Sequence, residues 1–407
     1  MLTLYSAEDL LTGPGCPVCR YAGEASDRYL GWFALQAHAE SGTITRLCAS
    51  LGMCARHTRG LMGQPGAATR LTAVYRYVVV AARKQLADRS AALAPCPACE
   101  HDSSAADRAL DTLLEGLADP FASDRCRQLG GLCIPHLRAA SARGHRRVVT
   151  WLAETMTLTL SSRSPGLEWL AGGTDRDTEV RAMLRQAIPA GAAPRSCVCT
   201  ACLAAARSER DGLAQLPGFA AGENAQDTAR VLCTAHLADA VVAASPGQGT
   251  RALLAWQADC HFASFAGQAA SGGRRSGNPA AWLRRARRRA DSPDACTICR
   301  ARGYAAGRAL DDVRNGLRAV PPGHDYQVTL CVRHVLSLRA ADPRAWQVIA
   351  GRAVDHADLL IAELSEAFRK STWAHRVEAR GTETTAWRRA ATFLDGSVFC
   401  GSAPPEH

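Results

Sequence analysis

Cys96-Pro97-Ala98-Cys99, followed thirty-odd residues later by Gly131-Leu132-Cys133-Ile134-Pro135-His136, is the stretch on which the fold turns. Two cysteines three apart, then a cysteine and a histidine three apart, make a complete set of four soft metal ligands. The pattern occurs four times. The first set is Cys16, Cys19, Cys54 and His57, and the second is Cys96, Cys99, Cys133 and His136. The third is Cys199, Cys202, Cys233 and His236, and the fourth is Cys296, Cys299, Cys331 and His334. From first to third ligand the separations are 38, 37, 34 and 35 residues. Flanks recur with the ligands: Cys-Pro-x-Cys opens the first two sets, and Leu132, Leu232 and Leu330 each precede the third ligand. Because 12 of 17 cysteines obey this grammar, the chain reads as four imperfect repeats.

Coordination explains the spacing. A Zn2+ ion takes four N/S ligands in a tetrahedron, and a Cys-x-x-Cys knuckle supplies one edge of it. A Cys-x-x-His pair in the first turn of a helix supplies the opposite edge, since residues three apart share a helix face. Between them Ala106, Leu110, Leu113 and Leu117 in the second repeat, and Leu310, Val313, Leu317 and Val320 in the fourth, repeat at helical steps. A helix of about 18 residues spans about 27 Å, and about eight to ten extended residues cover that on the way back. A return loop that closes each set on its own metal is therefore expected.

Each histidine is followed by a short helical piece and a break: Gly63-Gln64-Pro65-Gly66, Arg143-Gly144, Ser245-Pro246-Gly247-Gln248-Gly249 or Ala341-Asp342-Pro343. A longer helix follows, marked by an arginine five residues before a large apolar residue: Arg70/Tyr75, Arg146/Trp151, Arg251/Trp256, Arg344/Ile349. In the last repeat Trp346, Ala350, Ala353, Leu360, Leu364 and Phe368 form a long stripe. Strand signals are nearly lacking, so the fold class is all-α, four zinc-clasped helical repeats. The repeats divide at 1–88, 89–190, 191–289 and 290–407, with Gly/Pro/Ala-rich and Gly/Ser/Arg-rich linkers after the second and third.

The Cys-Pro-x-Cys start, the Leu-Cys-x-x-His return and Glu383-Thr384-Thr385-Ala386-Trp387-Arg388-Arg389-Ala390 resemble a family of bacterial proteins with duplicated cysteine/histidine signatures. That resemblance implies repeated metal-site architecture and no particular activity.

Composition narrows the function. No apolar run approaches the length of a transmembrane span, the longest being of the kind Val78-Val79-Val80-Ala81-Ala82, so no membrane role is expected. Residues 1–10 lack the basic region and apolar core of a secretory signal, which makes the cytoplasm the expected compartment. In a reducing compartment abundant, clustered cysteines mean metal or thiol chemistry rather than disulfides. The net charge of +10 is discounted twice. All but Lys84 and Lys370 of the 48 basic residues are arginines, a pattern of GC-rich coding, and four Cys3His zinc sites at −1 each lower the charge to +6.

Full protein ligation leaves no open position for water or substrate, so the four zincs are read as structural, their binding energy becoming folding energy. Iron–sulfur ligation fits a Cys3His set less well. Cys48, Cys126, Cys197, Cys260 and Cys400 remain over. Cys48 and Cys126 recur six and seven residues before a ligand and read as buried small hydrophobes, with a redox or alternative-ligand thiol as the alternative. Cys197 competes with Cys199 as a ligand, and the Cys-x-x-Cys spacing favours Cys199. Asp259-Cys260-His261 does not read as a catalytic pair, because helical neighbours diverge by about 100°. Trp282-Leu283-Arg284-Arg285-Ala286-Arg287-Arg288-Arg289 is the most basic run. Through Arg284, Arg285, Arg287, Arg288 and Arg289 it offers a surface for protein or nucleic acid, although its counterpart Trp387-Arg388-Arg389 suggests a tryptophan anchor with solvated arginines. No nucleotide-binding, hydrolase or metalloprotease motif occurs.

The function expected is a binding or scaffolding module for protein or nucleic acid. An enzyme of bacterial specialised metabolism, with a small-molecule pocket between repeats and purely structural zinc, is the alternative. A zinc- or redox-responsive regulator using Cys48, Cys126 and Cys197 is the second alternative.

Overall fold

A computed structural model describes residues 6–36, 39–64, 67–88, 93–143, 146–162, 199–220, 232, 236, 296–319 and 329–396. Among them every regular element is a helix, as the periodicities require. The helices are α1 (Ala7–Leu10), α2 (Pro17–Leu35), α3 (Ser41–Ser50), α4 (Ala55–Met62), α5 (Ala67–Ala87), α6 (Pro97–Gly116), α7 (Pro120–Leu129), α8 (Ile134–Ala142) and α9 (Arg146–Ser162). Then come α10 (Thr200–Ala220), α11 (Thr297–Ala319), α12 (Val332–Ala341), α13 (Pro343–Ser371) and α14 (Ala386–Leu394).

Proline and cysteine fix the helix starts. Pro17 and Pro97 occupy the first helical position, where a missing N–H costs nothing and the ring presets φ. The cysteine before each is the cap residue: the carbonyls of Cys16 and Cys96 accept from Arg20 and Glu100, both at 3.1 Å. Cys199 and Cys296 do the same for Leu203 and Arg300 at 2.9 Å. The return cysteines are built identically, Cys54, Cys133 and Cys331 accepting from Thr58, Leu137 and Val335 at 2.9–3.0 Å.

The expected return loops are helical where they are described. After the knuckle helices α2 and α6 the chain forms α3 and α7 before reaching Cys54 and Cys133. Asp119 caps α7, its carboxylate accepting from the Phe121 and Ala122 amides at 2.8 and 3.1 Å, with Pro120 at the first position. The helix stops where Gly130 and Gly131 turn left-handed at φ 96° and 86°. In the first repeat Leu51 takes the corresponding left-handed position at φ 52°. Its buried side chain offsets the strain of that conformation.

The chain gathers into two compact units, and it passes between them within α2, α6, α10 and α11. The first comprises the described residues of Met1–Ala25, Asp102–Ala182 and Ser208–Ala301. Its core joins Leu10, Val18, Leu110, Leu113, Leu137 and Leu152, so the stripe of α6 predicted from spacing is the buried face. Each large side chain that this core removes from water contributes about 1.5–3 kcal/mol.

The second unit comprises the described residues of Ser26–His101, Met183–Arg207 and Arg302–His407. Helices α5 and α13 pack along each other, with α3, α4, α12 and α14 laid against α5. Leu71, Val74, Val78 and Leu86 of α5 meet Trp346, Ile349, Leu360 and Leu364 of α13 in one core. Asp342 starts α13 by accepting from the Ala345 amide at 3.1 Å. Phe368, the last residue of the expected stripe, is 44% exposed, because the buried face ends at Leu364. Trp387 is buried as an anchor, and Arg389 of α14 pairs with Glu363 of α13 at 2.7 Å. Of the fourth repeat's helical stripe, Val320 lies outside the described residues, as do the third repeat's Arg251/Trp256 pair and the third break.

Candidate metal centres

A cysteine that caps a helix and a ligand three residues on both point from the helix N-terminus, where amide N–H groups and the helix dipole favour negative charge. Thiolates placed there are stabilised before any metal arrives. Two such N-termini facing each other bring four ligands to one point. This happens in both units.

The ligands do not join repeat by repeat. Cys16 and Cys19, at the start of α2, meet Cys133 and His136 at the start of α8. Cys54 and His57 of α4 meet Cys96 and Cys99 of α6. The first two repeats therefore exchange partners, the knuckle of each clasping the return of the other. Repeats three and four do the same: Cys199 and Cys202 meet Cys331 and His334, while His236 meets Cys296 and Cys299. Cys233, expected with His236, lies outside the described residues. Fifteen of the sixteen expected ligands are thus in clusters, with all ligand atoms of a cluster within 4.8 Å of one another.

The helical return explains the correction. A 19-residue α2 carries the chain about 28 Å, and a ten-residue α3 recovers about 15 Å at most. An extended return would have closed on its own knuckle; in the first two repeats the helical one falls short and meets the partner repeat's.

The geometry is that of a four-ligand cage. Around His136 Nδ1 the sulfurs of Cys16, Cys19 and Cys133 stand at 3.4, 3.3 and 3.1 Å, and Cys19 lies 3.5 Å from Cys133. His57 Nδ1 has Cys54, Cys96 and Cys99 at 3.3, 3.6 and 3.5 Å. His334 Nδ1 has Cys199, Cys202 and Cys331 at 3.3, 3.4 and 3.2 Å. Cys296 and Cys299 both lie 3.3 Å from His236 Nδ1. All four imidazoles present Nδ1.

So many sulfurs this close cannot ionise together without a cation. In each fully described cluster one thiol is held down and another pushed up. Hydrogen bonds from Cys202 and Cys331 hold Cys199 down at about 3, while bonds with Cys199 and Cys331 push Cys202 far up. Bonds from Cys54 and Cys99 lower Cys96, while Cys54 and Cys96 raise Cys99. Burial opposes charge on His136, yet the Cys16 thiolate beside it, helped by Cys19, holds the imidazole up at about 10. Burial likewise opposes charge on His236, and hydrogen bonds with Cys296 and Glu209 hold it up at about 9. A divalent cation in the cage would relieve this crowding by replacing the shared protons.

The cages differ in what faces water. In the Cys16 and Cys199 clusters all three cysteines are buried and the histidine is half-buried. Around His57 the arrangement inverts, the histidine buried and all three cysteines half-buried. The outward nitrogens differ as well. His236 Nε2 lies 3.3 Å from Glu209 Oε1, an acceptor for its N–H, whereas His57 Nε2 lies 2.8 Å from Arg56 Nη2. Neither Glu209 nor Arg56 carried a sequence signal, because each reaches its histidine through the fold or as a plain neighbour.

Of the leftover cysteines, Cys126 is fully buried and burial pushes its thiol up to about 12, as a small hydrophobe in the core. Burial also raises Cys48, which is half-buried beside the core. Among the described residues no disulfide occurs. Cys199 stands in its cluster; Cys197, Cys260, Cys400 and the arginines 284–289 lie outside the described residues. No described helix is long and apolar enough to cross a membrane.

These cages and this all-α framework define a protein with multiple Cys/His metal-binding centres. No family model, curated protein or solved structure matches the chain.

Proposed function

We propose that the chain is a zinc protein, with one structural ion in each of four cages, that serves as a binding or scaffolding module. The Cys3His donor sets carry this reading. Zinc bonds of about 2.3 Å to sulfur and 2.0–2.1 Å to nitrogen imply tetrahedral edges of about 3.8 Å between sulfurs and about 3.6 Å from sulfur to nitrogen. The observed separations of 3.1–3.8 Å lie at or slightly inside those edges. Cys16, Cys19, Cys133 and His136, and their counterparts in the other cages, would hold the ion with no position left for substrate. Zinc then supplies cross-linking rather than catalysis.

A binding role is supported by the outer surface of the second unit. Trp373 and Val377 are 76% and 88% exposed just beyond α13, and Tyr77 and Phe368 share the Arg76 guanidinium at 5.2 and 5.9 Å. Arg376 lies over the Trp373 ring at 3.2 Å. Exposed aromatics braced by arginine are the residues that most often anchor partners. The partner is a protein or a nucleic acid.

Elemental mass spectrometry of the purified chain tests the metal: about four zincs per chain are expected, and fewer than three, or mainly iron, contradicts the reading. Whatever macromolecule co-purifies tests the role. Trp373→Ala with Phe368→Ala should weaken its binding at unchanged zinc content, and undiminished binding removes that surface from the account.

A further inference from the structure

Positive charge and exposed rings coincide in the second unit. Its described side chains include 22 arginines and lysines against 14 aspartates and glutamates, whereas the first unit has 9 against 12. Two zinc cages at −1 each lower the second unit's surplus of 8 only to 6. We propose that the surface made by Tyr77, Phe368 and Trp373 with Arg76 and Arg376 is a site for single-stranded nucleic acid; this rests on the binding-module reading above and names its partner.

The rings supply the stacking. Tyr77, Phe368 and Trp373 are 45%, 44% and 76% exposed, and each offers water a flat apolar face that a base can cover. The Arg76 guanidinium stands 5.2 Å from the Tyr77 ring and 5.9 Å from that of Phe368, and Arg376 stands over Trp373. A guanidinium plane stacks on bases and also grips phosphate oxygens two at a time. Both contacts that an unpaired strand needs are therefore present together.

The charge is free to act because the carboxylates at this end of α13 are occupied. Arg369 pairs with Glu366 and Glu378, Lys370 with Glu383, and Arg389 with Glu363. Arg76 and Arg376 face rings instead, and among the described residues neither pairs with a carboxylate. An acidic peptide would satisfy these arginines but give the rings no flat partner. A duplex would bring phosphates, with its base faces locked inside its own stack. An unpaired strand satisfies rings and arginines at once.

The test uses the full zinc-loaded chain, with fluorescence anisotropy of labelled oligothymidylate and oligouridylate of about 15 nucleotides and of a duplex of that length. Both strands should bind. Trp373→Leu with Phe368→Leu should weaken strand binding at least about tenfold and leave duplex binding unchanged, while Trp373→Tyr with Phe368→Tyr retains strand binding. Arg76→Gln with Arg376→Gln should make the slope of log affinity against log salt shallower by about 1.4, the loss of two phosphate contacts. The arginines 284–289 are the same in every variant and cancel from these comparisons. Native mass spectrometry of each variant should return the parent's zinc content, which separates a lost surface from a lost fold. No strand bound by the parent, strand binding unchanged in the leucine variant, or an unchanged slope in the arginine variant overturns the inference. A co-purifying protein released by the leucine variant, with no strand bound by the parent, overturns it while leaving the binding-module reading in place.

Discussion

Cysteine plays three parts in this chain, and its position on a helix decides which. At the cap and third positions of a helix, pointed at a second helix start, it is a ligand. At Cys126, on the buried face of α7, it is a core residue whose thiol is pushed up to about 12 by burial. The folded state therefore prefers the neutral thiol more strongly than an unfolded chain, whose thiol titrates near its ordinary value of 9.0. That contribution is fully present below pH 9 and is lost as pH rises from about 9 to about 12. Native protein at pH 9 should leave Cys126 unlabelled by iodoacetamide while denatured protein labels fully; labelling of the native protein would contradict its placement. The histidines make a second residue-scale prediction. With His136 and His236 held up at about 10 and about 9, both carry a proton at pH 7 that an entering ion must displace. Zinc binding should therefore release protons, so the calorimetric binding enthalpy will vary with the ionisation enthalpy of the buffer. An enthalpy independent of buffer would contradict it.

At the scale of elements, the sequence announces the long helices clearly and the short ones faintly. Leu110 and Leu113 recur at helical steps and are buried as that stripe requires. The segment before Cys133 holds an equally physical signal, Asp119-Pro120 to open a helix and Gly130-Gly131 to end it. Its ten residues carry too little apolar periodicity to stand out beside α6. Reading it as an extended loop also satisfied the distance arithmetic, which is why the wrong partner looked attainable. Caps make the element-scale prediction. Asp342 both caps α13 and receives Arg314 at 3.3 Å, so Asp342→Ala should cost about 1 kcal/mol in a denaturation experiment. An unchanged midpoint would show that the cap contributes nothing. Gly396 touches a metal cage directly: an added Cβ would lie 2.4 Å from that of Cys199. Gly396→Ala should weaken zinc retention there more than in the Cys16 cage, as zinc competition with a chromogenic chelator would reveal.

For the whole molecule, ligand identity was legible and ligand partnership was not. Spacing identifies Cys16, Cys19, Cys133 and His136 as ligands because tetrahedral coordination needs pairs three residues apart. It is silent on which pair faces which, since any knuckle can complete any return, and only the path of the chain decides. The exchange changes what the metals do. An ion inside one repeat would stabilise that repeat alone, whereas an ion shared between repeats makes each depend on its neighbour. Removing zinc with a chelator should thus melt the helices of paired repeats together rather than one repeat at a time.

The exchange is tested most directly by counting zinc in two double variants with native mass spectrometry. Cys16→Ser with Cys133→Ser damages one shared cage, and the chain should lose one ion. Cys16→Ser with Cys54→Ser damages two cages, and it should lose two. The opposite pattern, two ions lost in the first variant and one in the second, would mean that each repeat holds its own metal.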